Sequence, residues 1–265
     1  MIVDTPEQAS ALAQPPLLVR RPLEAFLDEH GLGQGEVSAE PVGDGHSNVT
    51  FLIRRDGGEW VLRRPPRPPL PPSAHDVLRE ARLLRAVEDT AIRVPKVLAT
   101  CDGDSVIGAP FYVMERVHGV VLNETLPDGL TGEPVVDELI DALVEVHATD
   151  WQACGLEGYG KPTGYLERQV RRFSGLWEHN ATREIPAVDE VTAWLAANRP
   201  ESGPATIVHG DYRLGNVMYA PQAPPEVVAI FDWELATIGD PLADVGYLVA
   251  TWAEPGEDMA GLFGG

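Results

Sequence analysis

The first half of the chain is built of short apolar runs broken by turn-forming residues. EVSAEPV, VTFLIRR and EWVLRR are β-prone and are separated by GDGHSN and DGG. Asp56-Gly57 is a strong two-residue hairpin signal, because both positions favour positive φ. KVLATC and FYVMERV follow as two further strands around DGDSVIG. Between the third and fourth strands, Val77, Ala81, Leu84 and Val87 recur at helical spacing, and Ser73 with Asp76 resembles a capping box. The pattern predicts a five-stranded antiparallel sheet with one helix inserted after the third strand. Ahead of the sheet, RPLEAFLDEHGLG reads as a short helix with Pro22 in its first turn and Gly31 or Gly33 at its stop.

From residue 119 the texture changes. Residues 133–148, 164–179 and 187–198 carry helical patterns, with Leu139, Leu143 and Val146 on one stripe. PPRPPLPP, at 65–72, is a stiff connector, since proline donates no backbone hydrogen bond. The reading is α+β, in three parts: an arm and helix over 1–35, a strand-rich lobe over 36–117 and a helix-rich lobe over 118–265.

Charge then narrows the function classes. The chain has 265 residues and a formal net charge of -21. So acidic a surface is a poor match for nucleic-acid phosphates or anionic membranes, so neither is expected as a partner. Two cysteines cannot build a disulfide framework. No apolar run reaches the ~18 residues of a membrane span, and the proline-broken, acidic N-terminus is no secretory signal. A cytoplasmic protein is expected.

The chemistry concentrates in IVHGDYRLGNVMY, residues 207–219, and VVAIFDWE, residues 227–234. VMY and VVAIF would pair as a hairpin with its tip near Pro224. Asn216 and Asp232 are equidistant from that tip and are therefore expected to face each other, within the ~5 Å of cross-strand partners. An amide oxygen and a carboxylate there suit a hard cation such as Mg2+, which also takes substrate phosphates. Asp211 lies on the loop feeding the same end and is free to face a substrate hydroxyl. A loop Asp, an Asn five residues on and a second Asp after a strand is the arrangement of protein kinases.

The stretch IVHGDYRLGNVMY…VVAIFDWELATIGDPLADVGYL resembles the aminoglycoside phosphotransferase (APH)-like kinases, in particular the branch linked to acyl-CoA dehydrogenases. The resemblance runs from about residue 36 to 252 and implies a bilobal protein-kinase-like fold. It implies ATP and Mg2+ as cofactors and a small-molecule hydroxyl as acceptor, with an acyl-CoA dehydrogenase as an associated protein. On that basis Asp211 is the catalytic base, and His209 and Asp244 brace its loop. Asn216 and Asp232 hold the metal. Ser47 and Asn48, in GDGHSN, lie near the nucleotide phosphates, and Arg63 pairs with Glu80. Met114 lines the adenine pocket, with the Glu115 and Val117 backbone on the base.

Two departures stand out. Such kinases place Lys on the third strand; this chain has Arg63, and its only lysines are Lys96 and Lys161. Arg is a permanent cation with a planar fork and is not interchangeable with Lys. Relatives of this kind also continue through further helices after the point matching Trp252. The expected activity is transfer of the γ-phosphoryl group to a hydroxyl, of a hydroxyacyl group or its CoA thioester. The alternatives are a nucleotide-binding pseudokinase or scaffold, and an aminoglycoside- or choline-type phosphotransferase.

Overall fold

The computed structural model describes residues 1–43, 47–70, 75–122, 126, 130 and 132–252. Ser73, Asp44, Gly45 and His46 of the sequence motifs lie outside these residues, as does the chain after Trp252. The chain divides into two compact units, one of Met1–Leu139 with Leu214–Glu234, the other of Ile140–Arg213 with Leu235–Gly265.

The first unit carries helix α1 (Arg20–Glu29) and strands β1 (Gln34–Val42), β2 (Val49–Asp56) and β3 (Gly58–Arg64). Helix α2 (Val77–Val87) and strands β4 (Val97–Cys101) and β5 (Phe111–Glu115) follow. The five strands form one antiparallel sheet in the order β1-β2-β3-β5-β4. The Asp56-Gly57 turn closes the β2–β3 hairpin, with Arg55 opposite Gly58. Gly57 adopts φ +103, which glycine accepts without the clash a Cβ would cause.

Successive side chains of a strand point to opposite faces. One face therefore collects Val37, Phe51, Ile53, Leu62, Phe111 and Val113, which join Leu23 and Leu27 of α1 in a core. The opposite face presents Thr50, Leu52, Val61, Arg63, Tyr112 and Met114 to a cavity. Helix α2 begins at Val77, with Asp76 as its N-cap accepting from the Arg79 N–H at 3.0 Å. It buries Val77, Ala81, Leu84 and Val87, and with them Glu80.

Further along, β6 (Val120–Val121) pairs with β8 (Val217–Tyr219), and β8 pairs with β9 (Val227–Ile230). The hairpin register differs from the equal-count expectation. Val217 faces Ile230, and a bulge between Met218 and Tyr219 places Tyr219 opposite Val227. The Phe231 N–H donates to the Asn216 carbonyl at 2.8 Å. Asn216 is thus opposite Phe231, and Asp232 falls one residue beyond it. Tyr219 opposite Val227 centres the turn at residue 223 rather than 224, and the extra residue of the bulge makes up one of the two residues of that difference, so the pairs beyond it fall one short of the equal-count register.

The second unit contains strand β7 (Thr206–Val208), antiparallel to β10 (Thr237–Gly239). Helices α4 (Tyr165–Asn180), α5 (Pro186–Ala197) and α6 (Leu242–Ala250) belong to it, while α3 (Gly132–Ala148) runs from the first unit into the second. Among the described residues, no helix is long and apolar enough to cross a membrane.

Candidate functional site

The first unit encloses a cavity of about 520 Å³, within the range of small-molecule sites. Its apolar walls come from Leu52 and Val61 of the sheet, Met114, and Met218 and Ile230 of the hairpin. Glu115 and Val117 border it on the chain leaving β5. The Glu115 N–H donates to the Lys96 carbonyl at 3.0 Å. Gly119 sits so close to the hairpin that a Cβ would lie 2.5 Å from the Tyr219 carbonyl and the Met218 side chain.

Arg63 organises the polar end. Strand alternation turns it into the cavity, where its Nε donates to Glu80 Oε2 at 2.9 Å. Its Nη2 donates to Asp232 Oδ1, and Glu234 Oε2 lies 3.7 Å from the same nitrogen. Burial works against the guanidinium charge, but Glu80, Tyr112, Asp232 and Glu234 together raise its pKa above the usual arginine value. Glu80, 2% exposed, is pushed up to about 7 by burial, against the pull of Arg63 and with Asp232 and Glu234 adding to the rise. Tyr112 is raised well above the usual tyrosine value, first by burial and then by the charge on Glu80, to which its hydroxyl also donates.

Asp232 adopts φ +63, a left-handed backbone that a non-glycine residue takes only where its surroundings compensate. It and Asn216 line the same cavity despite the shifted register. Both offer hard oxygen donors, and one cation stands among three carboxylates, so the donor set fits a divalent oxygen-seeking ion such as Mg2+. Among the described residues no group of three or more His, Cys, Asp or Glu could hold a metal by itself. An ion here would therefore complete its shell with phosphate oxygens and water.

Ser47 and Asn48 meet Glu234. The Ser47 hydroxyl lies 2.7 and 2.6 Å from the two carboxylate oxygens, and Asn48 Nδ2 donates to Oε2 at 2.9 Å. Neither Glu234 nor Tyr112 has a role in the sequence motif. The signals that could have found them are an acid two positions after Asp232 and a tyrosine on the cavity-facing phase of β5.

His209 and Asp211 belong to the second unit, on the loop after β7. Asp244, fully buried on α6, accepts the His209 N–H at 2.8 Å and the Gly210 N–H at 2.7 Å. His147 Nε2 lies 2.9 Å from the same carboxylate. The Asp211 N–H donates to His209 Nδ1 at 3.1 Å, which places the neutral imidazole's proton on Nε2. Gly210 takes φ +87, and a Cβ there would press on Leu235 at 3.0 Å. The Asp211 carboxylate has Arg213 Nε at 3.5 Å. Tyr247 donates to it as well, and the Tyr247 hydroxyl is pushed up to about 12, by burial first and then by that bond.

A family model, the phosphotransferase enzyme family (APH), matches residues 38–262. Acyl-CoA dehydrogenase family member 10 of Mus musculus is 36% identical over 89% of this chain. Acyl-CoA dehydrogenase family member 11 of Gallus gallus is 38% identical over 80% of it. The chain spans only 22% and 28% of those two relatives. A solved aminoglycoside phosphotransferase candidate from Ralstonia eutropha is 36% identical, with a TM-score of 0.76 over 91% of this chain and 74% of that one. APH(4)-Ia in complex with ADP and hygromycin B shares the fold at 19% identity, with a TM-score of 0.61 over 85% of this chain and 75% of its own.

Proposed function

Because the chain belongs to the APH phosphotransferase enzyme family, we propose that it is an ATP- and Mg2+-dependent kinase of a small-molecule hydroxyl. The observation that carries this reading is the cavity of about 520 Å³ in which Arg63 joins Glu80 to Asp232. The adenine ring fits between the Val61 and Met114 side and the Met218 and Ile230 side. With the Glu115 N–H already engaged, the base takes the Glu115 carbonyl and the Val117 amide. Ser47, Asn48 and Arg63 hold the phosphates.

Asn216 and Asp232 are the residues that would hold Mg2+, which when bound neutralises charge on the phosphates. Asp211 accepts the proton of the acceptor hydroxyl as that oxygen bonds to the γ-phosphorus. The bond from γ-phosphorus to the bridging oxygen breaks and ADP leaves with the electron pair. Asp244 and His209 keep the Asp211 loop in place, so positioning supplies most of the catalysis.

The relatives named for acyl-CoA dehydrogenases support a hydroxyacyl group or its CoA thioester as acceptor, and association with such a dehydrogenase. Viomycin phosphotransferase of Streptomyces vinaceus, 26% identical over 68% of this chain and 63% of its own length, supports the antibiotic-type alternative. A nucleotide-consumption screen over hydroxyacyl-CoAs, amino alcohols and aminoglycosides with Mg2+ tests the proposal. Turnover is expected with one acceptor class, and Asp211→Asn should lower its kcat by roughly 10²–10⁴-fold. Nucleotide binding without turnover of any acceptor would favour the scaffold reading, which the replacement of Lys by Arg63 also favours.

A further inference from the structure

The phosphate donors of the proposed site are already occupied by a side chain of the same unit. The Glu234 carboxylate sits where the Ser47 hydroxyl reaches both of its oxygens, at 2.7 and 2.6 Å, and Asn48 Nδ2 reaches one at 2.9 Å. Arg63 Nη2 stands 3.7 Å away. A hydroxyl, an amide N–H and a guanidinium around two anionic oxygens is the donor set that a terminal phosphoryl group takes. We infer that Glu234 acts as a tethered phosphate substitute: it holds Ser47 and Asn48 in the nucleotide-free protein and is displaced by the incoming triphosphate. This inference rests on the nucleotide-site reading above and deepens it.

A second observation shows that the Asn48 amide is set to donate to an anionic acceptor. Asn48 is 6% exposed, and its Oδ1 is buried without a hydrogen-bond partner. The bond from Nδ2 to Glu234 fixes which way the amide points, so Oδ1 cannot be exchanged into the position of the donor. An unpaired buried acceptor is costly, so the contact with Glu234 holds Asn48 against a standing penalty. A phosphate oxygen in the place of Glu234 takes the same Nδ2, so the amide stays pointed at an anionic acceptor in both states.

The functional consequence follows from mass action. A ligand that binds only the released state has its affinity reduced by the fraction of protein in that state. Glu234 thereby sets a threshold: nucleotide must outcompete an internal carboxylate, and a diphosphate lacking the terminal group competes less well. The device lowers the affinity for both nucleotides but favours the triphosphate over the diphosphate, and so assists product departure without any change in the catalytic groups.

The test is calorimetric binding of the non-hydrolysable ATP analogue AMP-PNP, with Mg2+, to the wild type, Glu234→Ala, Ser47→Ala and the double variant. Glu234→Gln is carried alongside as a second perturbation, and melting curves establish that each variant is folded. Glu234→Ala is expected to bind about tenfold more tightly, equal to ~1.4 kcal/mol. Loss of a negative charge alone could raise affinity, so the decisive reading is the coupling. In the wild type, Ser47→Ala weakens both the internal contact and the ligand contact, and its net effect on affinity should be under about twofold. In the Glu234→Ala background only the ligand contact remains, and the same change should cost about tenfold. Equal effects of Ser47→Ala in both backgrounds, or no gain in either Glu234 variant, overturn the inference while leaving the nucleotide site standing. Failure of AMP-PNP to bind any form overturns both.

Discussion

Replacing Asp244 by alanine should destabilise the second unit severely, and the size of the loss can be worked from its bonds. Asp244 is fully buried and accepts two backbone amides, His209 at 2.8 Å and Gly210 at 2.7 Å, with His147 Nε2 at 2.9 Å. Alanine leaves three donors without their acceptor, the His209 N–H buried and the other two partly buried. Each such orphan costs about 1–3 kcal/mol. Taking the lower half of that range, because water can enter the space left by a carboxylate, gives about 3–6 kcal/mol. That is a large part of the ~5–15 kcal/mol that typically separates folded from unfolded protein. With a urea slope of roughly 2–3 kcal/mol per molar, the midpoint should fall by about 1–3 M. Asp244→Asn keeps one carbonyl acceptor and should fall between wild type and alanine. The assay is urea unfolding followed by tryptophan fluorescence, since Trp151 lies in the same unit and its indole N–H donates to the Ala205 carbonyl. An alanine variant within about 1 kcal/mol of wild type would show that the three bonds do not hold the Asp211 loop.

Three further expectations test the first unit. Burial holds the Glu80 carboxyl near 7 in the folded protein, above its usual value near 4.5. The folded state thus keeps a proton that the unfolded chain has released. The contribution of Glu80 is fully present below about pH 4.5 and is lost as pH rises through 7. Glu80→Gln should accordingly flatten the fall in stability across that window, measured by denaturation in EDTA at several pH values; an unchanged slope contradicts the assignment. Asp232→Ala should abolish the Mg2+-dependent part of nucleotide binding, and calorimetry in which the variant keeps the Mg2+-dependent gain of the wild type would refute its ligand role. Gly119→Ala places a Cβ 2.5 Å from the Tyr219 carbonyl; overpacking of this kind costs about 1–3 kcal/mol, and a melting temperature equal to wild type would show that the hairpin yields freely.

Much of the fold was legible because it is written locally. Alternation along VTFLIRR and EWVLRR, the Asp56-Gly57 turn and the stripe of Val77, Ala81, Leu84 and Val87 each depend on residues a few positions apart. The five-stranded sheet and its inserted helix follow from them. The same alternation put Arg63 and Tyr112 on one face and Leu62 and Phe111 on the other. In the motif, residue types and spacing alone singled out Asp211, Asn216 and Asp232 as candidates, and of these Asn216 and Asp232 line one cavity.

Tertiary structure decided what depends on distant partners. A turn centred at residue 223 rather than 224, followed by a bulge at Met218 and Tyr219, made Phe231 and not Asp232 the partner of Asn216, since cross-strand pairing is set by twist and packing as much as by counting. The resemblance paired Glu80 with Arg63, but only the folded structure buries that carboxyl, and burial raises its pKa to about 7. Glu234 carried no signal beyond its closeness to Asp232, yet it accepts from Ser47, 187 positions away in the chain. Periodicity and turn chemistry are properties of neighbours in sequence and can be read from them. Burial, charge pairing and the choice of hydrogen-bond partner belong to neighbours in space and arise only when the chain has closed on itself.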